Sequence, residues 1–384
     1  MKKYMIYFLL LANLFLLTGC WDSEENARML YVHGVGLDYK DGQFYFYMQL
    51  VSFANVARSE QINQDVMQSE VGLSTGRTVD EAIAKMIRSV DEKIFFGHLT
   101  FLVFGEELLK QEEKLNEVLN SFSRYINTRY QTWIYATNEP LEQFFLETPL
   151  LKKAITLTKL ANPLNSYEQD SFIEPMNVRK LIIHLNEPNH LVKIPYVRVK
   201  HNWNTVSGPD TTFHIEGVAL VTPKEFKGYL IKDDANGLQF MTNESITGYV
   251  TTKIGDADFT FTIKNMKRKI TPIVKGTDVK FQIDISADAL VSSYNINVSE
   301  DAIAKAVEKG IEKAVTETYK KGLEKNCDVY RLSESLYRKN VKVWKKLENQ
   351  GVIPLTEDSI DVQVTVQKVK SGRTIYKNTL KKPD

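Results

Sequence analysis

GHLTFLVFGEELL, residues 97–109, contains an apolar run from Leu99 to Phe104 interrupted only by Thr100. A run this short, rich in aromatic and branched residues and bounded by Gly97 and Gly105, reads as a strand buried on both faces. Its neighbours supply the rest of a domain. STGRTVDEAIAKMIRSV, residues 74–90, places Glu81 three residues after Thr78, a capping box. Val79, Ala82, Ile83, Met86, Ile87 and Val90 then fall on one face, predicting a helix over 79–90. Upstream, LYVHGVGLDYKDGQFYFYMQLVSF, residues 30–53, joins two apolar runs through Asp41-Gly42 and predicts a β-hairpin. Downstream come a helix through Leu115, Val118, Leu119, Phe122 and Ile126 and a strand at QTWIYAT, residues 131–137. The β-β-α-β-α-β series implies an α/β or α+β domain with a mixed sheet.

From 138 to 212 prolines recur at 140, 149, 163, 175, 188, 195 and 209, so short helices and extended segments are expected. NWNTVSGPDT, residues 202–211, reads as a loop at or near a domain boundary. Between 213 and 290, FHIEGVALV, FTFTIKNMKRKITPIV and VKFQIDISADALV alternate and predict antiparallel strands with one solvated face. The period then changes. Ile303, Val307, Ile311, Val315, Tyr319 and Leu323 recur every four residues, a stripe that drifts slowly around one long amphipathic helix. Ser299 is its cap, Glu300 and Asp301 suit its positive end, and Gly310 and Gly322 favour packing on its own sheet over a coiled coil. A second helix is expected over 333–348, and SIDVQVTVQKV, residues 359–369, alternates strictly as a closing strand. The resulting fold class is α+β, with mixed and antiparallel sheets and the long helix in the C-terminal part. The expected segments are an N-terminal α/β domain over 20–205, a strand-rich middle domain over 206–275 and a C-terminal α+β domain over 276–384.

FLLTGCWDSE, residues 15–24, ends a leader with Lys2 and Lys3 at its start and an apolar stretch from Tyr4 to Leu17. This is the layout of a signal peptide over 1–19. The apolar stretch is shorter than the roughly 20 residues a permanent span requires. Leu17-Thr18-Gly19-Cys20 resembles a bacterial lipobox, in which the cysteine receives a diacylglycerol and becomes the new N-terminus. An ordinary secretory signal or a retained anchor are the alternatives. Lipidation at Cys20 would tie the chain to a membrane surface, palmitate being the expected kind of acyl group, since two chains hold a protein stably where one holds it marginally. Cys327 would then be a lone, buried structural thiol.

Losing residues 1–19 leaves 47 basic residues against 48 acidic, so no basic field points to nucleic acid. Six histidines, at 33, 98, 184, 190, 201 and 214, form no close ligand pair, and no metal or cofactor is expected. Gly34-x-Gly36 lacks the third glycine and following helix of a dinucleotide fingerprint, and is expected to let a strand approach a neighbouring backbone. Gly76, Arg77 and Thr78 could cradle an anion at a helix start but lack a phosphate-loop ending. His98 and Glu106, separated by a strand, should lie about 20 Å apart, too far for joint catalysis. Gly34, Gly36, Gly76 and Gly97 are expected to hold turns, with Arg77 and His98 the candidates for polar contacts. A non-enzymatic role is expected.

Cys20-Trp21-Asp22 behind the lipobox, Gly34-Val35-Gly36-Leu37-Asp38, Gly76-Arg77-Thr78 with Glu81-Ala82, and Gly97-His98-Leu99 through Val103-Phe104-Gly105-Glu106 share one order and spacing. Together with FKGYLIKDDANGLQFM and YRLSESLYRKNVKVWKKL, they resemble the lipoprotein C subunit of bacterial spore germinant receptors. The chain departs from that family after the Trp344 helix, where ENQGVIPLTED stands in place of a tryptophan-rich segment. The resemblance implies three α+β domains and no catalytic activity. It further implies a lipid anchor on the outer face of the spore's inner membrane, with membrane-embedded A and B subunits as partners in nutrient-triggered germination. A solute-binding lipoprotein of an importer is the competing reading, and an extracytoplasmic hydrolase a third.

Overall fold

A computed structural model describes residues 29–51, 69–124, 130–147, 155–206, 208–276, 278–291 and 299–371, together with residues 3 and 150. The signal segment, Cys20, Trp21, Asp22 and Ile126 lie outside them. The fold is α+β and rests on two sheets.

The first sheet begins with the expected hairpin. β1 (Met29–Lys40) and β2 (Gln43–Val51) pair antiparallel and turn through Asp41 and Gly42, both at positive φ, 51° and 75°. Consecutive left-handed residues match the right-handed twist of the strands they join, which is why Asp-Gly suits the turn. The helix with the capping box is α1 (Val79–Arg88). Thr78 Oγ1 accepts from Glu81 N at 3.1 Å, while Glu81 reaches back to Arg77 N at 2.9 Å. The apolar run becomes β5 (Phe101–Gly105), parallel to β1, with Gly34 opposite Phe101 and Leu37 opposite Phe104. Its continuous hydrophobicity now has a cause. Leu102 and Phe104 enter the core under α1 and α3 (Glu112–Arg124), whereas Phe101 and Val103 enter a separate core under α4 (Leu141–Leu146).

The remaining strands of this sheet are β3 (Ser69–Gly76), β4 (Lys93–Phe95), β6 (Trp133–Thr137), β7 (Val192–Thr205), β8 (Gly208–Val221) and β9 (Phe226–Ile231). The order is β3-β2-β1-β5-β6-β7-β8-β9, with β4 beside β1. β3 was not expected. NWNTVSGPDT is also more than a loop, since β7 and β8 stay paired out to Thr205 and Gly208 and only the tip turns. Short helices fill the proline-rich stretch as expected, α5 at Pro163–Gln169 and α6 at Val178–Asn186, with α2 at Glu106–Leu109 earlier in the chain.

The second sheet has the order β10-β11-β12-β13: Thr247–Ile254, Ala257–Lys275, Asp278–Val291 and Ile360–Ser371. The first three pair antiparallel, and β13 lies parallel to β12. The long helix α7 (Glu300–Glu324) links β12 towards β13 and packs on this sheet. Its buried residues are Ile303, Val307, Ile311, Val315, Thr318, Tyr319 and Gly322. The burial leaves the four-residue stripe after Tyr319, where Gly322 is buried and Leu323 only half-buried, because a period of four outruns 3.6 residues per turn. The single helix expected over 333–348 is two, α8 (Leu332–Lys339) and α9 (Val341–Leu347). Asn340 ends the first and caps the second, accepting from Val343 N at 3.2 Å.

The two sheets share one hydrophobic core. Ile173, Leu191, Val218 and Leu230 join Phe261, Phe281, Val315 and Tyr319 in a single cluster. A 3₁₀ stretch, Lys232–Phe240, runs between the sheets and presses on α7. A Cβ on Gly237 would stand 2.5 Å from the Ala314 carbonyl oxygen, and Thr318 Oγ1 accepts from Gly237 N at 2.8 Å.

Candidate functional site

Two of the glycine-bearing motifs, the one ending in Asp38 and the one ending in Gly105-Glu106, meet at one end of the first sheet. Asp38, buried at the end of β1, accepts from Leu108 N at 3.0 Å and so caps α2, whose own N-cap is Gly105 and offers no side chain. Lys40 Nζ lies 2.8 Å from the other Asp38 oxygen. A Cβ on Gly105 would collide with the Asp38 carboxylate at 2.3 Å. Gly34 and Gly36 do not serve the approach of a neighbouring backbone. Their missing Cβ atoms leave room for aromatic rings, Phe101 at 2.5 Å from Gly34 and Phe145 at 2.4 Å from Gly36.

Arg77 and His98 are not brought together. Arg77 follows Gly76, which faces Phe44 beside the β1–β2 turn. Its side chain is 86% exposed, with Nε 3.6 Å from Glu81. His98 is exposed at the other end, edge-on to Tyr31 at 5.3 Å and Phe95 at 5.7 Å. About nine residues of β1 separate these levels, roughly 30 Å of strand. His98 and Glu106 sit before and after β5, as the spacing implied.

A gathering of charge lies elsewhere, in a cavity of about 460 Å³ where the two sheets and α8 meet. Five cationic side chains, Lys180, Lys193, Arg268, Arg331 and Arg338, line it with three carboxylates, Glu174, Glu244 and Glu334. Most are matched. Lys180 Nζ bridges Glu174 at 2.6 Å and Glu244 at 2.9 Å. Arg331 pairs with Glu334 and donates from Nη1 to the Leu191 carbonyl at 2.8 Å. Arg338 reaches Glu334 at 2.7 Å and Glu187 at 2.9 Å. Arg331 holds its place through a left-handed backbone (φ 56°), and Asp328 caps α8 by accepting from Leu332 N and Ser333 N at 2.9 and 2.7 Å.

Arg331 Nη2 lies 3.5 Å from Glu187 but is buried without a hydrogen bond, and three further groups are left over. Among the described residues Lys193 Nζ donates to a neutral oxygen alone, the Val329 carbonyl at 2.8 Å. Arg268 has no ion pair among the described residues, and its buried Nε has no hydrogen-bond partner. His184 Nδ1 is likewise buried without one. The electrostatics follow the burial. Although Lys193 as a residue is half-buried, its ammonium is surrounded by protein, which lowers it to about 8, with Glu174 opposing and Arg331 and Arg268 adding to the fall. Burial, then Arg331 and Lys193, lowers His184 to about 4, so its ring is neutral at pH 7. Burial also lowers Arg268, against the pull of Glu174 and Glu334. No sequence motif marks this site, because its parts come from separate segments scattered between Ile173 and Arg338. Among the described residues no cluster of histidine, cysteine and carboxylate could hold a metal. Cys327 is buried, and burial pushes its thiol up to about 12, which makes it inert.

Comparison with known families and proteins gives a consistent result. A family model described as the spore germination protein N-terminal domain matches residues 22–199, and one described as spore germination B3/GerAC like, C-terminal, matches 216–371. Spore germination protein KC of Bacillus subtilis (strain 168) is 23% identical over 371 residues, covering 91% of this chain and 90% of its own. Spore germination protein B3 of the same organism is 21% identical over 387 residues, covering 97% and 98%. The crystal structure of the GerBC protein superposes with a TM-score of 0.55 at 18% identity, over 91% of this chain and 99% of that one.

Proposed function

Because the chain belongs to the GerAC-like family of spore germination proteins, we propose that it is the lipid-anchored C subunit of a spore nutrient germinant receptor. The observation that carries this reading is the match of both family models, in order, across nearly all of 22–371. The chain works without turnover, beside membrane-embedded A and B subunits, on the outer face of the spore's inner membrane. No helix among the described residues is long and apolar enough to cross a membrane. In this reading the attachment is the lipid at Cys20, followed by a short polar stretch leading to β1. Arg77, exposed at one end of the first sheet, is the candidate for a polar contact with a partner, whereas His98, exposed at the other end, already interacts within the chain.

Replacing Cys20 by Ala in the encoding organism tests the reading. The variant should leave the spore membrane fraction and slow the response to nutrients. Unchanged retention together with an unaltered nutrient response would overturn it.

A further inference from the structure

Two cations of the cavity between the sheets, Arg268 and Lys193, have no ion-pair partner among the described residues. Each lining carboxylate already meets a cation: Glu174 and Glu244 hold Lys180, and Glu334 holds Arg331 and Arg338. Arg268 and Lys193 therefore face the space without a carboxylate of their own. They come from β11 of the second sheet and β7 of the first, and line the same cavity. Leaving a buried guanidinium nitrogen unpaired is costly, which makes such a group informative where it persists. His184 adds a buried ring nitrogen with an unused hydrogen-bonding position.

The rest of the lining constrains the ligand's body. Ile173, Met176, Val218, Leu238, Met241 and Ile270 give the cavity an apolar part of its lining. Its volume of about 460 Å³ is within the range of sites for small organic molecules. The apolar lining offers no donors to the further oxygens of a phosphate or sulfate, so a carboxylate on an apolar body is favoured over either. A guanidinium matches a carboxylate with two parallel hydrogen bonds.

We propose that this cavity binds a small organic monocarboxylate, its carboxylate held by Arg268 and Lys193 and its apolar body against Leu238 and Met241. The site joins the two regions matched by the separate family models, so an occupant would clamp them together. The inference goes beyond the receptor reading and stands or falls on its own test.

The full-length chain, purified in detergent, is titrated calorimetrically with sodium benzoate and sodium hexanoate. Sodium phosphate and benzylamine hydrochloride are run in parallel at matched ionic strength. The carboxylates should bind at one site and phosphate and benzylamine should not. Arg268→Gln should weaken carboxylate binding about tenfold or more, the worth of a hydrogen bond to a charged group, while Arg268→Lys retains an intermediate affinity. The ligand-free Arg268→Gln protein should be at least as stable as the parent, because the side chain it loses has no partner, so loss of binding cannot be ascribed to unfolding. Benzoate binding unchanged by Arg268→Gln, phosphate binding as tight as benzoate, or no carboxylate binding to a folded chain would each overturn the proposal. A chain that is retained at the membrane through Cys20 and binds no carboxylate defeats this inference and leaves the receptor reading intact.

Discussion

Adding one methyl group at Gly36 tests whether ring packing, rather than backbone approach, explains the paired glycines of β1. An ideal Cβ there stands 2.4 Å from Phe145 Cε2, 3.2 Å from Phe145 Cζ and 3.3 Å from Tyr47 Cβ, against an ordinary contact of about 3.4–4 Å. The ring has little freedom to retreat. It stacks on Phe101 at 5.8 Å, touches Phe144 at 5.9 Å, and belongs to a residue whose carbonyl accepts from buried Gln49 Nε2 at 2.8 Å. Gly36 does not have a positive φ, so alanine brings no backbone strain. Overpacking a filled core costs about 1–3 kcal/mol. The stiffer unfolded chain returns about 0.4–1 kcal/mol. Gly36→Ala should therefore destabilise the first sheet by a net of about 1–2 kcal/mol, read as a lower urea midpoint at unchanged slope. Phe145→Leu opens the space, so the alanine should cost about 1 kcal/mol less in that background, a coupling of the size found between touching residues. A cost for Gly36→Ala that is absent in the parent, or identical in both backgrounds, would refute the reasoning.

Three further outcomes follow from buried polar groups. Lys193, lowered to about 8 inside the cavity, keeps its proton to about 10.5 when unfolded. Stability should therefore rise with pH between those values, by an amount on the order of 1–3 kcal/mol, and the rise should vanish in Lys193→Met, measured by denaturation across that range. Burial holds His33 at about 4, against 6.5 unfolded, with Thr100 Oγ1 3.0 Å from its Nδ1. The unfolded chain thus takes up the proton first, stability should fall as pH drops from 6.5 to about 4 by on the order of 2–3 kcal/mol, and His33→Gln should flatten that part of the profile. Asp38→Ala leaves Leu108 N–H unpaired and should cost about 1–3 kcal/mol, whereas Asp38→Asn, which keeps an acceptor, should cost less by the same denaturation assay.

Much of the fold was legible because it is locally encoded. Asp41-Gly42 dictates the first hairpin, Thr78 and Glu81 start α1, and the stripe from Ile303 to Tyr319 defines α7. Other parts depend on partners distant in sequence. β3, SEVGLSTG, is mostly small and polar, buries only Gly76, exposes Glu70 and Leu73, and becomes a strand because β2 offers it an edge. The tip of the β7–β8 hairpin uses turn-forming residues yet extends the ladder to Thr205 and Gly208. Asn340 was a readable cap inside the expected 333–348 helix, but the apolar spacing ran through it. The strict alternation of β13 announced a strand without revealing that it runs parallel to β12. The cavity was the least legible. Glu174, Lys193, Arg268 and Arg331 have no mutual spacing in sequence, and a charged residue that ends in a cavity looks locally like one that ends in water.

The receptor reading is tested most directly by crosslinking this chain to its neighbours in intact spores and identifying the adducts from the inner membrane by mass spectrometry. The account predicts adducts with both membrane-embedded receptor subunits, A and B, dependent on Cys20. Adducts with importer permeases instead, or a chain recovered uncrosslinked and outside the membrane fraction, would contradict it.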